Sequence, residues 1–268
     1  MILNKIWVPL KVAIQKMRMS SFRKKIPLNE NLLGMVKNVD SHLFLENPAG
    51  QNCCLYLCEY LKNVSEYWFK KKICDLRVLD WGCGKGHLTF LLKEMRANVF
   101  SCDLETREND SSFGQYTPII EKGGIEVIPI KHQYLLPFGK ETFDVVLGCG
   151  VLEHVSNDFE SLKEINRILS PSGLFFCFYL PYFFSWTQNV SYFIGNFYHE
   201  KLYRKKTVKA LLPKTGFDLI DIWHRQLFPK NTIKYPNYHL FEKVDQLLVN
   251  HTWLRYFATN IEFVASKK

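Results

Sequence analysis

The sequence predicts an α/β protein built on a mainly parallel sheet with helices on both faces. Three observations point there. Short apolar runs alternate with segments of helical period across the middle of the chain. The first run enters a glycine-rich turn, Gly82-Cys83-Gly84-Lys85-Gly86, that opens a helix. Capping and turn signals then separate the later elements: Asn157 with Glu160 three residues on, and the turn Ser170-Pro171-Ser172-Gly173. A β-α-β-α order implies parallel strands joined by crossover helices.

Taken in order, residues 1–25 are basic and amphipathic. Ile6, Trp7, Leu10 and Ile14 share one helical face beside Lys5, Lys11 and Lys16. Residues 26–47 read as irregular and 49–70 as a helix leading into the core. Arg77 to Asp80 is a short strand, and Leu88, Leu91, Leu92 and Met95 form one face of the next helix. Further strands are expected at 98–102, 125–130 and 143–148. A helix capped by Asn157 carries Phe159, Leu162, Ile165 and Leu169, and a fifth strand runs over 174–180. Residues 182–198 are crowded with aromatics. A helix near 207–214, a strand over 217–223, a loop at 226–239, a helix near 240–250 and a strand over 261–265 complete the chain.

The 268 residues, 47% hydrophobic and 23% charged, suit one folded domain with additions. Two parts are expected: an N-terminal helical addition over 1–70, and a domain over 71–268 whose segment 182–239 covers a substrate. Eight scattered cysteines contain no C-x-x-C pair, so free thiols in a reducing compartment are expected, not a disulfide framework or a zinc site. No secretory leader is read at the N-terminus. The longest apolar run, Gly173 to Trp186, is interrupted by Pro181 and too short to span a bilayer. A cytoplasmic protein is expected. The net charge of +9 favours an anionic partner, and residues 1–25 make an anionic membrane surface the candidate for peripheral contact.

The chemistry concentrates in Val78-Leu79-Asp80-Trp81-Gly82-Cys83-Gly84-Lys85-Gly86. Glycines at a strand-to-helix turn let a ligand lie against the backbone. The spacing is G-x-G-x-G, whereas the dinucleotide fingerprint is G-x-G-x-x-G, so NAD fits less well. Asp103 ends the second strand about twenty residues past Gly82, where an acid receives ribose hydroxyls in nucleotide-binding α/β proteins.

These runs resemble the class I S-adenosylmethionine-dependent methyltransferases. So do Leu136-Pro137-Phe138 followed by Phe143-Asp144-Val145-Val146, the run Val151-Leu152-Glu153-His154-Val155, and the Leu169-to-Gly173 turn. The similarity is nearest to the group holding quinone-biosynthesis and glycan-pathway enzymes. It implies a Rossmann-like seven-stranded sheet, mainly parallel with an antiparallel last strand, and S-adenosyl-L-methionine as cofactor. It also implies that Asp80, Gly82, Cys83, Gly84 and Gly86 face the methionine half and Asp103 and Leu104 the ribose and adenine, with Gly148, at the end of the fourth strand, also among the cofactor-binding residues. One departure stands out. Where the family often places an acid before L-P-F, this chain has His132-Gln133, so adenine contact falls to backbone groups or to Gln133.

The acceptor is less legible. Methyl transfer to oxygen requires loss of a proton, and histidine is the usual base. His199, closing the aromatic segment, and His154, after the fourth strand, are the candidates by position; His224, His239 and His251 rank below them. The family's divalent-metal motif, E-x-x-E-H, lacks its first acid here, since Gly150 takes that place, so no metal is expected. Gly148-Cys149-Gly150-Val151 replaces the motif that marks base-amine methylation, which argues against nucleic acid. The reading is methyl transfer to an oxygen of a small molecule or glycan precursor. Two alternatives stay open: a methyltransferase of a prenylated quinone or lipid at the membrane surface, and an inactive relative serving as a binding subunit.

Overall fold

The computed structural model describes residues 19, 21–23, 48–105, 118–195, 199, 201–229 and 237–268. Most of the expected N-terminal helix, the 26–47 segment and much of the 226–239 loop lie outside the described residues. Where the N-terminal segment is described, it packs on the body. Met19 is buried, Phe22 meets Tyr67 edge-on at 5.6 Å, and Arg23 pairs with Asp221 at 3.0 Å.

Seven strands form one sheet: β1 (Arg77–Trp81), β2 (Asn98–Leu104), β3 (Val127–Ile130), β4 (Phe143–Cys149), β5 (Leu169–Pro181), β6 (Phe217–Arg225) and β7 (Asn260–Lys267). Their order is β3-β2-β1-β4-β5-β7-β6. The pairs from β3 through β5 are parallel, and β7 runs antiparallel to both neighbours, β5 and β6. The expected Rossmann-like sheet with its reversed last strand is the observed one. The strand order turns back between β1 and β4, and a ligand crevice opens at such a point, outside the carboxyl ends of the strands.

One sheet face is covered by α1 (Pro48–Phe69) and α2 (His87–Glu94). Leu55, Tyr60, Leu61 and Val64 of α1 pack there with Leu88, Leu91 and Leu92 of α2 against Val78, Val145, Phe176 and Val264. Tyr60 lies edge-on to Trp223 at 5.3 Å and Phe176 at 6.1 Å. The opposite face is covered by α4 (Asp158–Ile168) and α6 (Lys205–Lys214), whose Leu162, Ile165, Val208 and Leu212 pack on Val146, Phe175 and Phe263. Each such side chain, fully buried, contributes about 1.5–3 kcal/mol before ordering costs. The short helix α3 (Pro118–Lys122) precedes β3.

The helix-start signal works as expected: the Asn157 side chain accepts the Glu160 backbone N–H at 3.2 Å. Two readings are corrected. The Ser170-to-Gly173 segment does not separate a helix from a strand but belongs to β5. Leu169 pairs with Phe143 and Leu174 with Val145, so the four residues between arch out over Asp144, with Ser172 at φ 60°. The aromatic segment contains a helix, α5 (Trp186–Phe193), capped by Ser185, whose hydroxyl accepts the Gln188 N–H at 3.3 Å. The last helix, α7 (Tyr238–His251), is capped by Asn157's counterpart Asn237, whose side chain accepts the Leu240 N–H at 3.2 Å.

Candidate functional site

The turn after β1 is held against the end of β2. The N–H groups of Gly82 and Cys83 both donate to the Cys102 carbonyl, at 2.9 and 3.1 Å. The Asp103 carboxylate accepts the Gly84 N–H at 2.5 Å and the Leu104 N–H at 2.7 Å. The acid about twenty residues beyond the glycine turn is therefore bonded to that turn. Both oxygens keep lone pairs for further donors, since an ionised carboxylate offers about four acceptor sites.

The glycines have separate jobs. A Cβ on Gly82 would stand 2.6 Å from Val151 Cγ2, so this glycine lets the turn close on the loop after β4. Gly86 is left-handed at φ +82° just before α2, and a Cβ there would meet Ile120 Cγ1 at 2.9 Å. Gly84, at φ +53°, faces open space: nothing lies within 4 Å of the place a Cβ would take. The opening of the turn is at Gly84.

Asp80 is nearly fully buried behind the turn. It accepts the Thr89 hydroxyl at 2.6 Å, and Thr89 is 2.8 Å from the Ser101 hydroxyl. Burial pushes its carboxyl up to about 7; the Thr89 hydrogen bond works against that and nearby Asp103 adds to it. Burial also raises the Asp103 carboxyl, opposed by its two backbone N–H donors. Thr89 and Ser101 had no sequence signal; a helix-face threonine and a strand serine meet Asp80 only across β1, β2 and α2.

The remaining predicted residues lie at or just after the carboxyl ends of β1 to β4. Cys83 is buried, and burial raises its thiol well out of the reactive range. Leu104 is exposed at the end of β2. His132 is exposed, in a bridge with Leu135. Gln133 spends its amide on the loop after β4: its oxygen accepts the Ser156 N–H at 2.6 Å and its nitrogen donates to the His154 carbonyl at 3.4 Å. Gly148 lies against Trp81, whose ring carbon would be 3.0 Å from an added Cβ.

His154 and His199 do come together. Their ring centroids are 5.4 Å apart, and His154 Nε2 lies 3.9 Å from Glu153 Oε1. The Tyr192 hydroxyl donates to the His199 carbonyl, tying α5 to this spot. Burial lowers His199 to about 4, and neighbouring His154 adds to the effect. Burial raises Glu153 to about 8, and its Oε2 has no hydrogen-bond partner. Ligand atoms of Glu153, His154 and His199 lie within 4.8 Å of one another, a spacing that suits a divalent ion. The sequence singled out both histidines separately but gave no sign that they meet, since β5 and α5 lie between them in the chain.

Toward β6 the same edge is aromatic and cationic. His224 is buried between Tyr182 at 5.0 Å and Tyr256 at 5.6 Å, and burial lowers it to about 3. On the α1 face, buried Arg225 sits over the Tyr56 ring at 4.1 Å with its Nε 3.8 Å from Glu262. The Trp223 indole donates to the other Glu262 oxygen at 2.9 Å.

Residues 79–177 match a family model described as a methyltransferase domain. The ubiquinone biosynthesis O-methyltransferase of Parvibaculum lavamentivorans is 36% identical over 103 residues, 38% of this chain and 39% of that protein. The human mitochondrial ubiquinone biosynthesis O-methyltransferase is 30% identical over 121 residues, 43% of this chain and 32% of that one. The human mitochondrial arginine-hydroxylase NDUFAF5 is 30% identical over 98 residues, 36% of this chain and 26% of its own. The alignments thus span about two fifths or less of these relatives' length. Among solved structures, a putative sarcosine dimethylglycine methyltransferase from Galdieria sulphuraria superposes with a TM-score of 0.57 at 13% identity, over 85% of this chain and 94% of that one. Its likeness is one of fold.

Proposed function

We infer that this chain, which belongs to the class I S-adenosylmethionine-dependent methyltransferases, transfers a methyl group to an oxygen of a small molecule or glycan precursor. The observation that carries the reading is the bond from Gly84 N–H to Asp103, which joins an open glycine turn to an acid at the mouth of the crevice. When bound, S-adenosyl-L-methionine supplies a methyl on a positively charged sulfur. The residues fit that donor. Gly84 leaves its space free, and the spare lone pairs of Asp103 suit two ribose hydroxyls. Gly82, Cys83 and Gly86 shape the backbone beside the methionine part. Leu104 offers an exposed apolar surface to adenine. Asp80 acts from behind, holding α2 to the turn through Thr89. His132 and the backbone around Gln133 are left for the adenine edge, because the Gln133 side chain already braces 154–156.

Displacement at a sulfonium methyl needs alignment and exclusion of water more than covalent help. The segment over 182–239 supplies the cover. A hydroxyl acceptor releases one proton as its oxygen takes the methyl; we assign its receipt to His199 and the shaping of the pocket to His154, whose ring lies 5.4 Å from that of His199. A lipid or prenylated-quinone acceptor is the second reading, favoured by the ubiquinone-biosynthesis activity for which the bacterial and human relatives are named. Contact of residues 1–25 with an anionic membrane belongs to that reading. Titration calorimetry with S-adenosyl-L-methionine and its demethylated product tests the inference: micromolar binding at one site supports it, and absence of heat on folded protein refutes it.

A further inference from the structure

Two helices of this chain turn apolar stripes outward. In α5, Trp186, Val190 and Phe193 recur at helical spacing, and they are 40%, 50% and 91% exposed. In α7, Leu240, Val244 and Leu247 do the same, at 56%, 40% and 57%. Helix α7 is anchored on its inner side, whereas α5 buries none of its residues and is tied by single hydrogen bonds. The Asp245 carboxylate, on the inner side of α7, accepts the Leu227 and Phe228 N–H groups at 2.6 and 3.0 Å, and Val249 is buried. The Trp186 indole donates to the Leu227 carbonyl at 2.8 Å. Leu227 therefore bonds both helices, and the two stripes belong to neighbouring elements. Just past α7, the turn Trp253–Phe257 adds Trp253 at 67% and Phe257 at 44% exposure.

Isolated exposed apolar side chains are ordinary, but a helix whose outward row is apolar is not. The charges around the rows are mainly basic; Glu242 of α7 is half-buried and accepts the Gln246 amide at 2.9 Å. Helix α5 has no charged residue, and Lys243 is the one exposed charged side chain of α7 among the described residues. Arg255 sits between Trp253 and Phe257 in sequence, and Arg204 covers the ring of Phe183 at 3.8 Å beside the start of α5. The one carboxylate buried under α7, Asp245, faces inward and is consumed by backbone donors.

We propose that the outward face of α5, α7 and the Trp253–Phe257 turn docks on an anionic phospholipid bilayer. Aliphatic and aromatic rows would enter the boundary between headgroups and chains, tryptophan would sit at headgroup level, and Lys243 and Arg255 would meet lipid phosphates. A second copy of the chain is the poorer occupant, because a two-fold contact would bring Lys243 and Arg255 of one copy near those of the other. The docking rests on this surface alone. That it brings the cover over 182–239 to a lipid-borne acceptor rests on the methyl-transfer reading.

Sedimentation of the full chain with vesicles tests it. Vesicles of phosphatidylcholine with about a quarter phosphatidylglycerol should carry the protein down; pure phosphatidylcholine should do so about tenfold less. Replacing Leu240, Leu247 and Trp253 together by Ser should lower partitioning by ~100-fold, from the apolar area lost. Lys243→Glu should lower binding to the anionic vesicles by about fivefold or more, on the scale of one juxtamembrane charge. Calorimetry with S-adenosyl-L-methionine on the same variants should match the parent, showing intact folding and separating failure of docking from failure of the enzymatic reading. Equal recovery of parent and triple variant overturns the proposal. So does a parent dimer, seen by analytical ultracentrifugation without lipid, that the triple variant converts to monomer while vesicle recovery stays at background.

Discussion

Replacing Asp103 by Ala removes a side chain that bonds both the glycine turn and the end of β2. Two bonds are lost at once, from Gly84 N–H at 2.5 Å and Leu104 N–H at 2.7 Å. Hydrogen bonds to a charged partner contribute about 1.5–3 kcal/mol each, but these N–H groups lie near the surface and water takes over part of that. A stability loss of about 1–2 kcal/mol follows. The effect on the cofactor is larger, because the ribose hydroxyls lose their acceptor and Gly84 loses the anchor that holds it left-handed at φ +53°. With one charge-assisted bond's worth of net binding lost, about 2–3 kcal/mol, Kd should rise ~30- to 150-fold. Asp103→Asn separates the parts. Its carbonyl keeps one acceptor and its amide turns a donor toward the other N–H, so binding should fall between parent and Ala. Calorimetry gives Kd, and thermal melts give the stability. An Ala variant that binds S-adenosyl-L-methionine like the parent would refute both the site and the role of the acid in it.

Other perturbations read other parts of the fold. Gly86→Ala places a Cβ 2.9 Å from Ile120 and 3.2 Å from Ile125 at a φ of +82°, which should cost about 2–3 kcal/mol and lower Tm by about 5–10 °C in a thermal melt. Glu153 tests linkage. Its folded-state pKa of about 8 lies above the ordinary 4.5, so the folded protein keeps a proton that the unfolded chain releases. Its contribution therefore weakens as pH rises from about 4.5 to about 8, by at most about 1.4 kcal/mol per pH unit. Urea melts from pH 5 to 9 should show Glu153→Gln gaining on the parent with rising pH; parallel curves would exclude a buried, protonated Glu153.

Much of the sheet is legible in the sequence, because strands such as Arg77–Trp81 and Phe143–Cys149 are short apolar runs bounded by turn residues, and Asn157 marks a helix start. Asp103 was legible too, since its distance from the glycine turn is set by one crossover. What failed did so for identifiable reasons. The arch at Ser170–Gly173 has the composition of a turn, and only pairing with Phe143 and Val145 shows that β5 continues through it. In α5 the density of aromatics hid a helical spacing. For α7 the spacing was visible, but apolar residues at helical intervals imply an inward face, and only the anchoring of Asp245 shows the row at 240, 244 and 247 turned out. The Arg225–Glu262 pair and the Asp80–Thr89–Ser101 cluster join residues remote in sequence, and no local pattern encodes them.

The two histidines are where chemistry and geometry press hardest on each other. A base should hold its proton with a pKa near working pH, yet burial and His154 lower His199 to about 4. A metal ligand needs only a neutral imidazole, and Glu153, His154 and His199 present atoms within 4.8 Å. The base reading predicts that His199→Ala binds S-adenosyl-L-methionine normally and loses about 10²-fold or more in turnover once an acceptor is in hand. Because protonation of His199 is confined to acid, kcat/KM governed by it should be flat from pH 6 to 8 and fall only as pH drops toward 4. Chelation by EDTA should leave the parent rate unchanged. The ligand reading predicts the reverse for the chelator: activity lost with EDTA, restored by Mg²⁺ or Mn²⁺, and titrating with the ion. A chelator-sensitive parent enzyme would therefore move His199 from proton acceptor to metal ligand, and the acceptor's proton would then leave from an oxygen bound beside that ion.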